Sequence, residues 1–319
     1  MKMSQAMVNF LIIGAAKSGT TSLHHHLAAL PGTFFSPIKE PNYHARADIH
    51  PDDFSRSFRA NHALDLSSYF QTPSPRTPKD IAFVRSESDY LRLFEGADAA
   101  RHPVIGEAST STLWSPTAME SVRQMNPEAK VLVVIRDPVE RMFSHYLMAR
   151  KYGFTTLPFK EAVERDLLAK NRGWGQSEQY FELGCYGAQL APWIREWPED
   201  NLRILRTADL NLTETWMNLA AWLGLCGTTD WAERAASPSG QTNVAGAARY
   251  GHLNRFLTAS GLKSGLAKWL PTVVKNRVKR GYYDAHAELP VLQDADRDWA
   301  TRLYTEDQEL LRVILKTTS

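Results

Sequence analysis

Val8-Asn-Phe-Leu-Ile-Ile13-Gly14-Ala-Ala16-Lys17-Ser18-Gly19-Thr20-Thr21-Ser22-Leu23 is the stretch on which the fold turns. Its apolar start, punctuated by Gly14, predicts a strand over Val8–Ile13. A helix is predicted from Gly19 to Leu30, where Pro31-Gly32 stops it. The loop between them combines glycines, a lysine and hydroxyls. Such a strand–loop–helix unit aims several backbone N–H groups at one point, and the helix N-terminus makes that point more positive. An anion, most often a phosphate, belongs there. The Gly14-to-Gly19 spacing matches the nucleotide-triphosphatase loop, but the lysine expected directly after the second glycine is Thr20. The loop's lysine comes earlier, at Lys17.

The clearest buried strand lies further on, at Lys130-Val-Leu-Val-Val-Ile135. A continuous apolar run of this kind suits a parallel sheet covered on both faces. Asp137-Pro138 then opens a helix, with aspartate as N-cap and proline in the first position. A strand is predicted at Pro103–Glu107 and another at 202–206. Helices are predicted at Ser86–Phe94, near 158–170, 186–196 and 213–223, and from Asp294 to Leu315. Phe34–His44 and the proline-rich Gln71–Pro78 read as loops. Alternating strands and helices predict one α/β domain over 1–319, of phosphate-loop type, with a central, mainly parallel β-sheet flanked by helices.

Composition narrows the functional classes. The chain of 319 residues is 43% hydrophobic and 23% charged, which excludes dominant disorder. Its net charge of +2 is too balanced for a general nucleic-acid or membrane binder. Cys185 and Cys226 form no disulfide framework and read as reduced thiols in a cytoplasmic protein. No apolar run approaches the ~18 residues of a membrane span. Met1–Ala16 is not read as a signal peptide, because cleavage there would remove or split the loop that follows.

Two stretches carry a family resemblance. Lys17-Ser-Gly-Thr-Thr-Ser-Leu23 resembles the phosphosulfate-binding loop of sulfotransferases that use 3′-phosphoadenylyl sulfate (PAPS) and release adenosine 3′,5′-bisphosphate. Arg136-Asp-Pro-Val-Glu-Arg141-Met-Phe-Ser144-His-Tyr146 is similar to the family's 3′-phosphate motif, an arginine at a strand end and a serine eight residues on. The chemistry agrees. A guanidinium and a hydroxyl suit a phosphate monoester, and the carboxyl end of a parallel strand is where open α/β sheets bind ligands. Gly106-Glu107-Ala-Ser109, Gly184-Cys-Tyr186-Gly-Ala-Gln-Leu190-Ala-Pro-Trp193 and the final Leu-Tyr-Thr-Glu-Asp-Gln-Glu-Leu segment resemble further family stretches.

The resemblance implies the site residues. Ala16, Lys17, Ser18, Gly19, Thr20, Thr21 and Ser22 would hold the phosphosulfate, and Arg136 and Ser144 the 3′-phosphate. Lys17 would also offset charge on the transferring group. Arg249, in the segment Asn243–Tyr250 that closes over the nucleotide in relatives, would add a phosphate contact. Sulfotransferases acting on sugars often carry a Lys-Glu-Pro stretch whose glutamate is the general base, which assigns Glu40 in Lys39-Glu40-Pro41-Asn42-Tyr43-His44. Relatives often have histidine two residues after that glutamate, where this chain has Asn42. Two readings follow: His44 supplies the imidazole, or the acceptor differs.

Glu107 and Ser109 read equally as lining an acceptor cleft or as a strand end with a capping serine. His24-His25-His26 reads as a mixed helix face, since consecutive helical residues point about 100° apart; no metal ligand set is assigned. The basic stretch 261–281 reads as a solvated face, an anionic-acceptor surface or a peripheral membrane contact. The tryptophans Trp174, Trp193, Trp197 and Trp269 read chiefly as packing residues. The expectation is a metal-independent, PAPS-dependent transferase. It sulfates a hydroxyl (or amine) of a small molecule or glycan and has no nucleic-acid partner. Its rivals are a nucleotide kinase using ATP and Mg²⁺, and a non-catalytic nucleotide- or glycan-binding protein.

Overall fold

The structure is a computed structural model that describes residues 7–62, 65–237, 247–248, 283–284 and 289–317. Five strands build its central sheet: β1 (Phe10–Ile12), β2 (Thr33–Phe35), β3 (Val104–Ala108), β4 (Lys130–Ile135) and β5 (Leu202–Arg206). Their order is β2-β3-β1-β4-β5 and every pairing is parallel. β1 is shorter than the predicted Val8–Ile13. Its flanks still join the ladder: Asn9 N donates to Ile105 O, Ile13 N to Leu132 O and Ala15 N to Val134 O, each at 2.9 Å.

The apolar runs sort by the two-residue period of a strand. Phe10, Ile12, Leu132 and Val134 face α1 (Thr20–Ala28) and, beyond it, a cluster of large side chains that includes Trp216 and Trp231. Leu11, Ile13, Val131 and Val133 face the opposite layer, with Tyr186, Leu190, Trp193 and Leu311. Both faces are covered, so continuous hydrophobicity rather than alternation is what β4 required.

Helices α2 (Arg56–His62), α3 (Leu66–Gln71) and α4 (Glu87–Arg92) fill the connection from β2 to β3. α5 (Ser111–Trp114) and α6 (Ala118–Met125) lie between β3 and β4. After β4 come α7 (Pro138–Tyr152), α8 (Phe159–Leu167) and α9 (Tyr186–Glu196), and after β5, α10 (Thr213–Trp222) and α11 (Thr229–Ala236). Asp137 caps α7 as predicted, accepting from Glu140 N at 2.9 Å, with Pro138 in the first turn. At the far end Gly153 takes φ 84°, the left-handed closure that favours glycine.

Two predicted elements change, and several helices are additional. Phe34–His44 begins with the edge strand β2, whose three residues are too few to show a period. α2, α3, α5, α6 and α11 were not predicted. The single final helix is two, α12 (Asp294–Leu303) and α13 (Thr305–Thr317), broken at Tyr304. That break has a tertiary cause. The buried Tyr304 hydroxyl lies 3.0 Å from Phe181 O, and the Asp307 carboxylate accepts from Gly187 N and Ala188 N at 2.9 and 3.0 Å. The Gly184–Trp193 stretch and the final Leu-Tyr-Thr-Glu-Asp-Gln-Glu-Leu stretch therefore meet, and the second caps α9 of the first.

Candidate active site

The chain runs outward from β1 in both directions, so the carboxyl ends of β1 and β4 form a topological switch point. Gly14 lets the loop cross β4 there. A Cβ at Gly14 would lie 2.4 Å from Val134 Cγ1 and 2.5 Å from Val134 O. Lys17 and Gly19 take φ 73° and 96°, which curls the backbone around one point. The N-cap of α1 is Gly19, which offers no side chain to cap the leading N–H groups that lack intrahelical partners. Thr207 Oγ1, at the end of β5, lies 2.8 Å from Ser18 O and 3.1 Å from Ile135 O and ties the loop to the tip of β4.

Above these strand ends opens a cavity of about 1360 Å³. Ala16, Lys17, Gly19, Thr20, Thr21 and Ser22 line it from the loop, and Arg136 and Ser144 from β4 and α7. The two motifs therefore converge on one space. Ser18 is the exception: its side chain is fully buried and absent from the lining. Burial, together with the charges of Lys151, Arg136, Arg141 and Lys39, lowers the pKa of Lys17. A cation held among cations is a seat that an anionic ligand relieves. Arg141 is wholly buried; its guanidinium donates to Tyr180 O, and NH1 lies 3.4 Å from His145 Nδ1.

On the other wall, Glu40 lines the cavity beside Lys39 and Thr110. Glu40 Oε2 accepts from Thr110 N and Thr110 Oγ1, both at 2.8 Å, and Oε1 lies 2.5 Å from Lys39 Nζ. Glu40 and Asn42 adopt φ 62° and 55°, uncommon for residues with a Cβ. Asn42 holds that turn: its Nδ2 donates to Glu40 O at 2.7 Å and Ala82 O at 2.8 Å, while Oδ1 accepts from Ser111 Oγ at 2.6 Å. Its own N–H donates to Ser109 Oγ at 3.1 Å, and Ser109 Oγ donates to Glu107 Oε2 at 2.7 Å.

One expectation is corrected here, and one pair of equal readings is decided. His44 does not line the cavity. It is fully buried, with Nδ1 3.1 Å from Ser121 Oγ and Nε2 3.2 Å from Tyr90 OH, and burial pushes its pKa down to about 3. An imidazole so enclosed does not exchange protons with a substrate. Glu107 and Ser109 do not line it either; they lie behind the Glu40 loop. His24, His25 and His26 form the expected mixed face, with His25 exposed and the other two half-buried. Arg249, most of Asn243–Tyr250, the stretch 261–281 and Trp269 lie outside the described residues.

Burial raises the Glu107 pKa to about 8, and Oε1 has no hydrogen-bond partner among the described residues. Between the ordinary carboxyl range and pH 8 the folded chain keeps a proton that the unfolded chain releases. Stability therefore falls as pH rises through that window. Glu107→Gln removes this loss and stabilises the fold by about 2–3 kcal/mol at pH 7, with no gain near pH 4. Thermal unfolding across pH 4–9 checks this; parallel curves for the two proteins refute it.

The sulfotransferase family profile matches residues 9–182, more than half of the chain. The chain belongs to the sulfotransferase family. The family expected from Lys17–Leu23 and Arg136–Tyr146 is the one found. Carbohydrate sulfotransferase 15 of Rattus norvegicus is 25% identical over 238 residues, covering 64% of this chain and 41% of the relative. The Mus musculus protein of the same name is 25% identical over 253 residues, with the same coverage. The chain spans about two fifths of the length of these curated relatives. A sulfotransferase from Alicyclobacillus acidocaldarius shares the fold, at TM-score 0.56 and 24% identity, over 85% of this chain and 99% of that one.

The cavity is also lined by residues that the sequence did not single out. Lys151 lines the cavity from α7, on the face that carries Glu140, Ser144 and Met148. The signal was present, since 144, 148 and 151 repeat at helical spacing. Thr110 and Thr207 carried none, because each acts on a loop distant in sequence. Phe58 and Tyr152, with the already noted Trp174, add aromatic surface to the lining.

Proposed function

We propose that this sulfotransferase moves a sulfuryl group from PAPS to a hydroxyl (or amine) of a carbohydrate or glycosylated acceptor. One observation carries the reading: the Lys17 loop, the Arg136–Ser144 pair and Glu40 face a single cavity. The residues fit the donor, since an uncapped helix start and clustered cations await its anionic groups. When bound, PAPS supplies the activated sulfuryl group.

The chain's own residues do the rest. Arg136 and Ser144 grip the 3′-phosphate, which separates this donor from ATP. The Lys17 loop orients the phosphosulfate end, and Lys17 offsets the negative charge that grows there. Glu40, fixed by Thr110 and Lys39, accepts the proton of the attacking hydroxyl. The aromatic wall and the relatives' printed names support a sugar acceptor.

Release of adenosine 3′,5′-bisphosphate from PAPS, measured with oligosaccharides, glycosylated small molecules, phenols and amines, tests the reading. Stimulation by a sugar-bearing acceptor is expected. ATP turnover with Mg²⁺ and none with PAPS overturns it. Arg136→Ala is expected to weaken adenosine 3′,5′-bisphosphate by about 2 kcal/mol while sparing adenosine 5′-phosphate. That is the lower end for a charge pair, because 33% of the Arg136 side chain stays exposed. Titration calorimetry with both nucleotides decides it, and equal losses refute the 3′-phosphate assignment.

A further inference from the structure

Arg136 is not alone at the tip of β4. Its NH2 lies 3.4 Å from Glu140 Oε2, one turn along α7. The other oxygen of that carboxylate, Oε1, accepts from the Arg297 guanidinium, which reaches across from α12. Glu140 thus bridges two guanidiniums, and both Arg136 and Glu140 line the cavity. Asp137 and Asp294 add negative charge around Arg297. Tyr304 and Asp307 dock the chain just beyond α12 against the start of α9.

This arrangement creates a conflict that the proposed function makes explicit. A phosphate monoester held between Arg136 and Ser144 brings up to two negative charges to the helix face that carries Glu140. Ser144 lies one turn beyond that carboxylate, a rise of about 6 Å. Unrelieved, Glu140 both occupies Arg136 and repels the phosphate. Arg297 relieves it by giving the carboxylate's other oxygen a second cation. We propose that Arg297 is a positioning residue for the donor's 3′-phosphate: it retains Glu140 when the phosphate takes over Arg136. The C-terminal helix pair thereby sets selectivity for 3′-phosphorylated nucleotides. This rests on the assignment of Arg136 to the 3′-phosphate.

Binding of adenosine 3′,5′-bisphosphate and of adenosine 5′-phosphate to the full chain tests it by calorimetry at low salt. Arg297→Ala is expected to weaken the bisphosphate about fivefold and leave the monophosphate unchanged, with Arg297→Lys recovering most of the loss. Glu140→Gln is expected to tighten the bisphosphate about threefold, and in that background Arg297→Ala has no further effect. The selective loss should shrink at 0.5 M salt, because these side chains are partly exposed. Equal weakening of both nucleotides, or an unchanged bisphosphate affinity, overturns the proposal. So does an Arg297→Ala effect that persists undiminished without the Glu140 carboxylate. The Arg136→Ala variant separates the two failures. If it spares the bisphosphate, the 3′-phosphate assignment itself has fallen; if it weakens the bisphosphate while Arg297→Ala does not, only the role of Arg297 has.

Discussion

Lys17→Ala is expected to lower sulfuryl transfer by about 10²–10³-fold, the cost of removing a preorganised contact to charge that develops in the transition state. The structure supplies an internal control. Lysine and alanine both carry a Cβ, so the left-handed backbone at 17, φ 73°, disfavours them alike. The ammonium is also destabilising before ligand arrives: burial and four neighbouring cations, Lys151, Arg136, Arg141 and Lys39, hold its pKa down. Replacing it relieves that repulsion, so Tm should stay level or rise while turnover collapses. Affinity for adenosine 3′,5′-bisphosphate, which lacks the sulfuryl group, should fall far less than turnover. A steady-state assay paired with thermal unfolding reads both halves. Near-normal turnover removes Lys17 from the chemistry. A large drop in Tm shows that the variant lost its fold instead.

How much of this was visible in the chain depended on where the deciding contacts lie. β4 and the phosphate loop were legible because their signals are local: a six-residue apolar strand, a glycine against Val134, an aspartate cap followed by proline. That Arg136 and Ser144 line one cavity was legible for the same reason, since one strand end and one helix turn carry both. His44 misled because its fate is set by Ser121 and Tyr90, 77 and 46 residues away, which enclose its ring. Thr207 was invisible on the same ground, since it pins a loop 189 residues upstream. The break at Tyr304 leaves no mark in the helical period of 294–315; it follows from what the tyrosine docks against. Asn42 shows the other limit. The resemblance marked it as a departure, and only the structure shows it holding the Glu40 turn with its N–H and both side-chain polar atoms engaged.

Glu40→Gln is expected to lower turnover by about 10²–10⁴-fold with donor affinity unchanged, because it removes the proton acceptor and little else. The amide oxygen can still accept from Thr110 N and Oγ1, and the backbone at 40 remains clamped by Asn42. Loss of the Lys39 pair, whose side chains are only 14% exposed, adds a structural cost that thermal unfolding of the variant reads separately from turnover. Asn42→Ala is the companion variant. It keeps the carboxylate but frees a turn in which two residues with φ 62° and 55° flank Pro41. Turnover should fall there too, through a carboxylate no longer aimed at the acceptor, and bisphosphate binding should again be spared. If Glu40→Gln turns over normally, the hydroxyl loses its proton elsewhere and the base assignment is lost. If Glu40→Gln is inactive while Asn42→Ala is not, the carboxylate is the base but needs no clamp, and the strained turn serves packing alone.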